Sequence, residues 1–245
     1  MEAARTIRSC VDRVTALRAD EHAQPALRDA VRAIKGLQAR RFAGTYRDLL
    51  ASGPYAAPAR FFLEELYSDK DYAERDAQFA RIAGAIERFF PAPVVETSVG
   101  LARLHALTEE LDHAMGRAWL ASDAAQDEAH RYVAAWRVVG RRDDRRSQLD
   151  VVLAIGRDMI RLTRTPGLRM MLRMMRGPAS AAGLSSLQRF LETGFDTFGA
   201  MARGAAADEF LRIIGQREAA LIAALFDAPA VACETQLRQA LGQAP

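Results

Sequence analysis

Residues 97–120 read TSVGLARLHALTEELDHAMGRAWL. Leu101, Leu104, Thr108, Leu111, Met115 and Ala118 follow one another at alternating intervals of three and four residues, the spacing that lines one face of an α-helix. A stripe of this kind is a bundle seam and needs a partner helix to cover it. Upstream, Tyr72, Phe79, Ile82, Ile86 and Phe89 repeat the pattern over about Asp71 to Phe90, while Glu74, Arg81 and Glu87 occupy other faces. Downstream, Ala129, Tyr132, Val133, Trp136 and Val139 mark a helix between Asp123 and Gly140. Leu149, Val152, Leu153, Gly156, Met159 and Ile160 mark another from about Ser147 to Thr163, after a GRRDDRRSQ junction. Two more stripes run through Leu184 to Phe198 and Phe210 to Leu225.

Strand signals are almost absent. β-Branched residues occur as isolated pairs such as Val94-Val95 and Val151-Val152, without the period-2 alternation of a strand. The fold class is therefore all-α, a single-domain bundle of about eight to ten helices. Pro25, Gly53-Pro54, Thr165-Pro166-Gly167, Gly177-Pro178 and Pro229 punctuate it, and Pro91 to Pro93 is the best place for a subdivision.

Composition agrees with this reading. The 245 residues are 50% hydrophobic but only 7% aromatic, and the 48 alanines account for the difference. That is a helix former's composition. Cys10 and Cys233 form no CxxC pair and there are four histidines, so no structural zinc site is expected. The first ten residues lack an apolar core, and the longest charge-free stretch is the twelve residues Gly177 to Gln188. No signal peptide or membrane span is predicted, and a reducing cytoplasmic location follows.

The stretch Arg60-Phe61-Phe62-Leu63-Glu64-Glu65-Leu66-Tyr67, with Asp71-Tyr72 and Arg75-Asp76 after it, is the most distinctive in the chain. It resembles the signature of an uncharacterised bacterial family, the FFLEELY motif proteins. Gln38 to Arg41, Thr45 to Leu50, Leu187 to Glu192 and Gly194-Phe195 extend the similarity over most of the chain. The resemblance implies a helical protein and brings no reaction, cofactor or partner. Physically, the motif reads as a short helix that buries Phe61, Phe62, Leu66 and Tyr67, with Asp71 capping the next helix and Glu74 three residues on. A sharper alternative makes Glu64, Glu65, Arg75 and Asp76, with Arg137, a polar site inside the bundle for an enzyme or a ligand carrier.

Glu110-x-x-His113 and Asp127-x-x-His130 approximate half of a bundle di-metal site, with Glu65 and Asp158 as further carboxylates. Glu110 and His113 lie away from the Leu104, Leu111, Met115 seam, so both histidines are expected in solvent and no metal or other cofactor is expected. GxSxG, GxGxxG, GxxxxGK and HExxH are all absent, and no nucleic-acid motif stands out.

Charge is segregated. Between Arg131 and Arg176 twelve arginines face four acids, although the whole chain carries only +3. Two outlets are open: an external anionic partner, or neutralisation of Arg141 to Arg146 by the acids of the FFLEELY region. Within this basic stretch, residues 166–177 read as one short helix. Arg169, Arg173 and Arg176 share a face, and Met170, Met171, Met174 and Met175 fill the rest. Such a surface suits a hydrophobic ligand, an anionic membrane or another protein's helix, so the favoured reading is a non-catalytic binding or adaptor module.

Overall fold

The computed structural model describes residues 2–51, 53–65, 72–202 and 206–244, and among them there are thirteen α-helices and no strand. They are α1 (Glu2–Ala23), α2 (Pro25–Thr45), α3 (Arg47–Ala51), α4 (Ala56–Glu65), α5 (Ala73–Phe89), α6 (Ala92–Ala121) and α7 (Glu128–Val139). There follow α8 (Arg142–Thr163), α9 (Leu168–Met174), α10 (Arg176–Ala181), α11 (Ser185–Met201), α12 (Ala206–Asp227) and α13 (Ala230–Gly242). The all-helical class is as expected. The count exceeds eight to ten because short helices such as α3, α9 and α10 are too brief for periodicity to resolve.

Three boundaries show what sets the ends. The break at Pro91 separates α5 from α6, as its missing N–H requires. The junction before Ser147 is helical: α8 opens at Arg142, with Asp143 and Asp144 in its first turn beside the positive end of the helix dipole. The turn before it is made by Gly140 and Arg141, both at positive φ. Residues 166–177 form two helices instead of one. Gly167, in the left-handed region, precedes α9, and Pro178 lies in the first turn of α10, where its ring costs no hydrogen bond.

The chain forms two compact units. The first comprises Met1–Thr15, Lys70–Ala106 and Val151–Arg212. Ala4, Ile7, Ala83 and Ala102 make one of its apolar clusters, with Cys10, Phe79 and Val99 against it. Gly156 lets α8 approach α12, because a Cβ there would come within 2.6 Å of Leu211. The second unit comprises Ala16–Asp69, Leu107–Asp150 and Ile213–Pro245. Its core joins Ile34 and Leu37 of α2, Met115 and Trp119 of α6, Tyr132 and Trp136 of α7, Leu225 of α12 and Leu237 of α13. At Gly44 the backbones of α2 and α13 nearly touch: a Cβ would sit 1.8 Å from the Ala240 carbonyl oxygen.

In α4 the Phe62 ring is buried and stacks on Phe42, while Phe61 is only partly covered. Leu66, Tyr67 and Asp71, expected respectively to bury and to cap, lie outside the described residues. No helix among the described residues is long and apolar enough to cross a membrane.

Candidate functional site

The five residues read as an internal polar site divide between the units. In the first, the Arg75 guanidinium lies 3.8 Å from the Tyr72 ring centroid and 4.5 Å from that of Phe190, a cation–π sandwich. Asp76 is buried, with Oδ2 2.8 Å from His105 Nε2. Glu64, Glu65 and Arg137 belong to the second unit. There Arg137 donates from Nε to the Leu225 carbonyl at 3.0 Å and from Nη2 to the Ala228 carbonyl at 2.5 Å. The Leu225 carbonyl lies in the last turn of α12, where Pro229 four residues on has no N–H to offer it, and Ala228 follows directly, so Arg137 acts as a C-terminal cap.

What the sequence reading missed is a buried ionic network in the second unit. Lys35 Nζ on α2 donates to both Glu109 oxygens on α6, at 2.9 and 2.8 Å. One turn along each helix, Gln38 Nε2 donates to Asp112 Oδ1 at 3.0 Å. Arg41 Nη1 and the Tyr46 hydroxyl donate to Glu218 Oε1 on α12, at 2.5 and 2.9 Å. Arg145, also buried, lays its guanidinium 4.1 Å from the Trp136 ring centroid. Burial holds Asp112 above the usual carboxylate range, with the nearby Lys35 charge opposing the shift, and burial likewise raises Tyr132. Burial works against the Lys35 ammonium, yet Glu109 and Asp112 more than offset it and lift its pKa.

His113 is a correction. It is buried, with Nδ1 3.3 Å from Glu21 Oε1, while Nε2 accepts from Arg117 Nε at 3.1 Å. Distance from the apolar seam does not mean exposure here, because α6 is covered on several sides: Glu109, Leu111, Asp112, His113, Met115 and Gly116 are all buried. Glu110 turns instead towards Arg141, 3.5 Å away, so the Glu-x-x-His does not converge. His130 is half-buried against Glu234 at 3.0 Å, and its backbone N–H is the group that Asp127 caps at the start of α7. Asp158 accepts from Thr97 and Arg161 in the first unit. Among the described residues no group of three or more His, Cys, Asp or Glu is placed to hold a metal ion.

Three of the arginines after Gly140 have acids close by. Arg141 pairs with Asp144 and Glu110, Arg142 with Asp227, and Arg146 with Asp143.

The methionine segment is different in kind. On α9 and at its end, Met170, Met174 and Met175 are 66%, 65% and 41% exposed, and Met171 is partly covered. The opposite side of the helix is tied to α11. Arg169 Nε reaches Asp196 at 2.9 Å, Arg176 Nε reaches Glu192 at 2.7 Å, and Gln188 Nε2 donates to the Leu172 carbonyl at 2.7 Å. The Arg176 hydrogen bond holds the Glu192 carboxyl below its ordinary range. Thus two of the three arginines, though exposed, are tied to acids of α11, and Met170, Met174 and Met175 face water.

No curated protein and no solved structure matches the chain. One family model does, over residues 17–231, and it is described as a domain of unknown function (DUF8198). That span is most of the sequence, and the chain belongs to that family.

Proposed function

We propose that this protein is a non-catalytic binding module that works through protein–protein contact at α9. The observation that carries this reading is the exposure of Met170 and Met174, one turn apart on a helix whose other side is hydrogen-bonded to α11. Apolar side chains at i and i+4 on an anchored helix form a preorganised ridge, and unbranched thioethers adapt to an irregular partner. Three of the polar residues considered for an internal site also have local partners that support this reading. Arg137 caps α12, Arg75 lies between two rings and Asp76 holds His105.

The test replaces methionine with photoreactive methionine in the native host and maps crosslinks by mass spectrometry. A single partner crosslinked at Met170 or Met174, and absent from a Met170→Glu/Met174→Glu variant, supports the module. Crosslinks distributed over other methionines, or none at α9, would refute it.

A further inference from the structure

Resting on that reading, we infer that the partner docks on α9 through an acidic amphipathic helix. Residues 151–202 of the first unit contain seven arginines and three acids. Each acid is already engaged by an arginine of the same stretch: Asp158 by Arg161, Glu192 by Arg176 and Asp196 by Arg169. Arg157, Arg164, Arg173 and Arg189 are therefore surplus positive charge. Arg164 spends a donor on the Ala202 carbonyl. Arg173 is exposed, and makes no salt bridge among the described residues. It is near enough to Glu192 to help lower its pKa, but Arg176 holds both of that carboxylate's oxygens.

Arg173 therefore flanks the Met170 and Met174 ridge, next to Met174 in sequence, with its charge open to a partner and the acids of its own stretch all committed. An apolar ridge edged by unneutralised guanidinium is complementary to a helix with apolar residues at i, i+3 or i+4 and i+7 and carboxylates beside them. The seven residues of α9 span about 10 Å, which matches two turns of a partner helix. A bilayer interface needs a longer apolar face or a second anchor. A second copy of this chain would set the same surplus of arginines against itself.

The experiment is selection of random peptides about 15 residues long, enough for a partner helix to form on binding, on the immobilised full chain. Counter-selection uses the Met170→Glu/Met174→Glu variant, after circular dichroism and Tm show that its fold is retained. The expected result is enrichment of helix-compatible peptides rich in Glu and Asp beside apolar i, i+4 pairs. A synthetic consensus peptide should lose about tenfold in affinity with Arg173→Glu and weaken further as salt screens the contact. Methionine-dependent peptides without an acidic excess would overturn the acidic partner and leave the α9 module standing. No methionine-dependent enrichment would overturn both. Methionine-dependent retention on vesicles of phosphatidylcholine and phosphatidylglycerol, with no acidic peptide selected, would replace the protein partner by an anionic membrane.

Discussion

The Gln78 side-chain carbonyl accepts the backbone N–H of Leu187 at 2.9 Å, from α5 into the first turn of α11. Leu184, at the N-cap of α11, makes no side-chain cap, so a buried glutamine from another helix supplies it. Gln78 is fixed in turn by donating to Glu74 at 2.8 Å.

Replacing Gln78 by Leu keeps the volume but leaves the Leu187 N–H buried and unsatisfied. The expected cost is about 1 to 3 kcal/mol. A chemical denaturation curve measures it, and amide exchange at Leu187 should accelerate relative to the middle of α11.

Two glycines of α2 should respond with opposite signs. Gly44→Ala drives a Cβ into the Ala240 backbone, which no rotamer change relieves, and should cost about 1 to 3 kcal/mol or more. Gly36 has nothing within 4 Å of its would-be Cβ, so Gly36→Ala should stabilise by about 0.5 to 1 kcal/mol. Thermal melts of the two variants beside the parent decide both.

The buried network makes a pH prediction. Because burial raises the Asp112 pKa above its ordinary value of 3.8, the folded state holds the proton more tightly than the unfolded chain does. Asp112 thus favours folding most at low pH, and that contribution is lost as pH rises from the ordinary carboxylate range through its elevated folded value. Asp112→Asn keeps an acceptor for Gln38 and should remove this pH-dependent component from denaturation curves. Its stability at neutral pH should be equal to or above that of the parent. Glu109→Ala, by contrast, leaves the mostly buried Lys35 ammonium without the carboxylate it bridges, at a cost of about 3 kcal/mol.

Phe62, 3% exposed and stacked on Phe42, should cost about 3 to 5 kcal/mol when cut to Ala. Urea denaturation measures this. An unchanged midpoint would show that the ring is not the anchor of α4.

The helices were legible wherever an apolar stripe ran long enough. The seam from Leu101 to Ala118 falls inside α6, and the proline break before it stands where expected. The ends of α8, α9 and α10 were not legible, since they follow from dipole placement and from φ values at Gly140, Arg141 and Gly167 that periodicity does not register. The α9 surface was readable as an amphipathic face, and the structure adds which side is tied down by Asp196 and Glu192. The ionic network was hidden for another reason. Periodicity assigns charged residues to solvent, whereas Glu109, Asp112 and His113 sit on a helix covered on several sides and meet Lys35, Gln38 and Glu21 from α2 and α1. Only the placement of those helices shows the pairing.

The exposure of the α9 methionines also fixes the order in which an oxidant meets the protein. Peroxide reaches Met170 and Met174 in water, while Met115 and Met201 are enclosed. Sulfoxidation would turn the apolar ridge into a polar, chiral surface without disturbing the cores beneath it, and methionine sulfoxide reductases would restore it. Among the described methionines, oxidation therefore begins as a reversible change of surface chemistry, before it becomes a loss of structure.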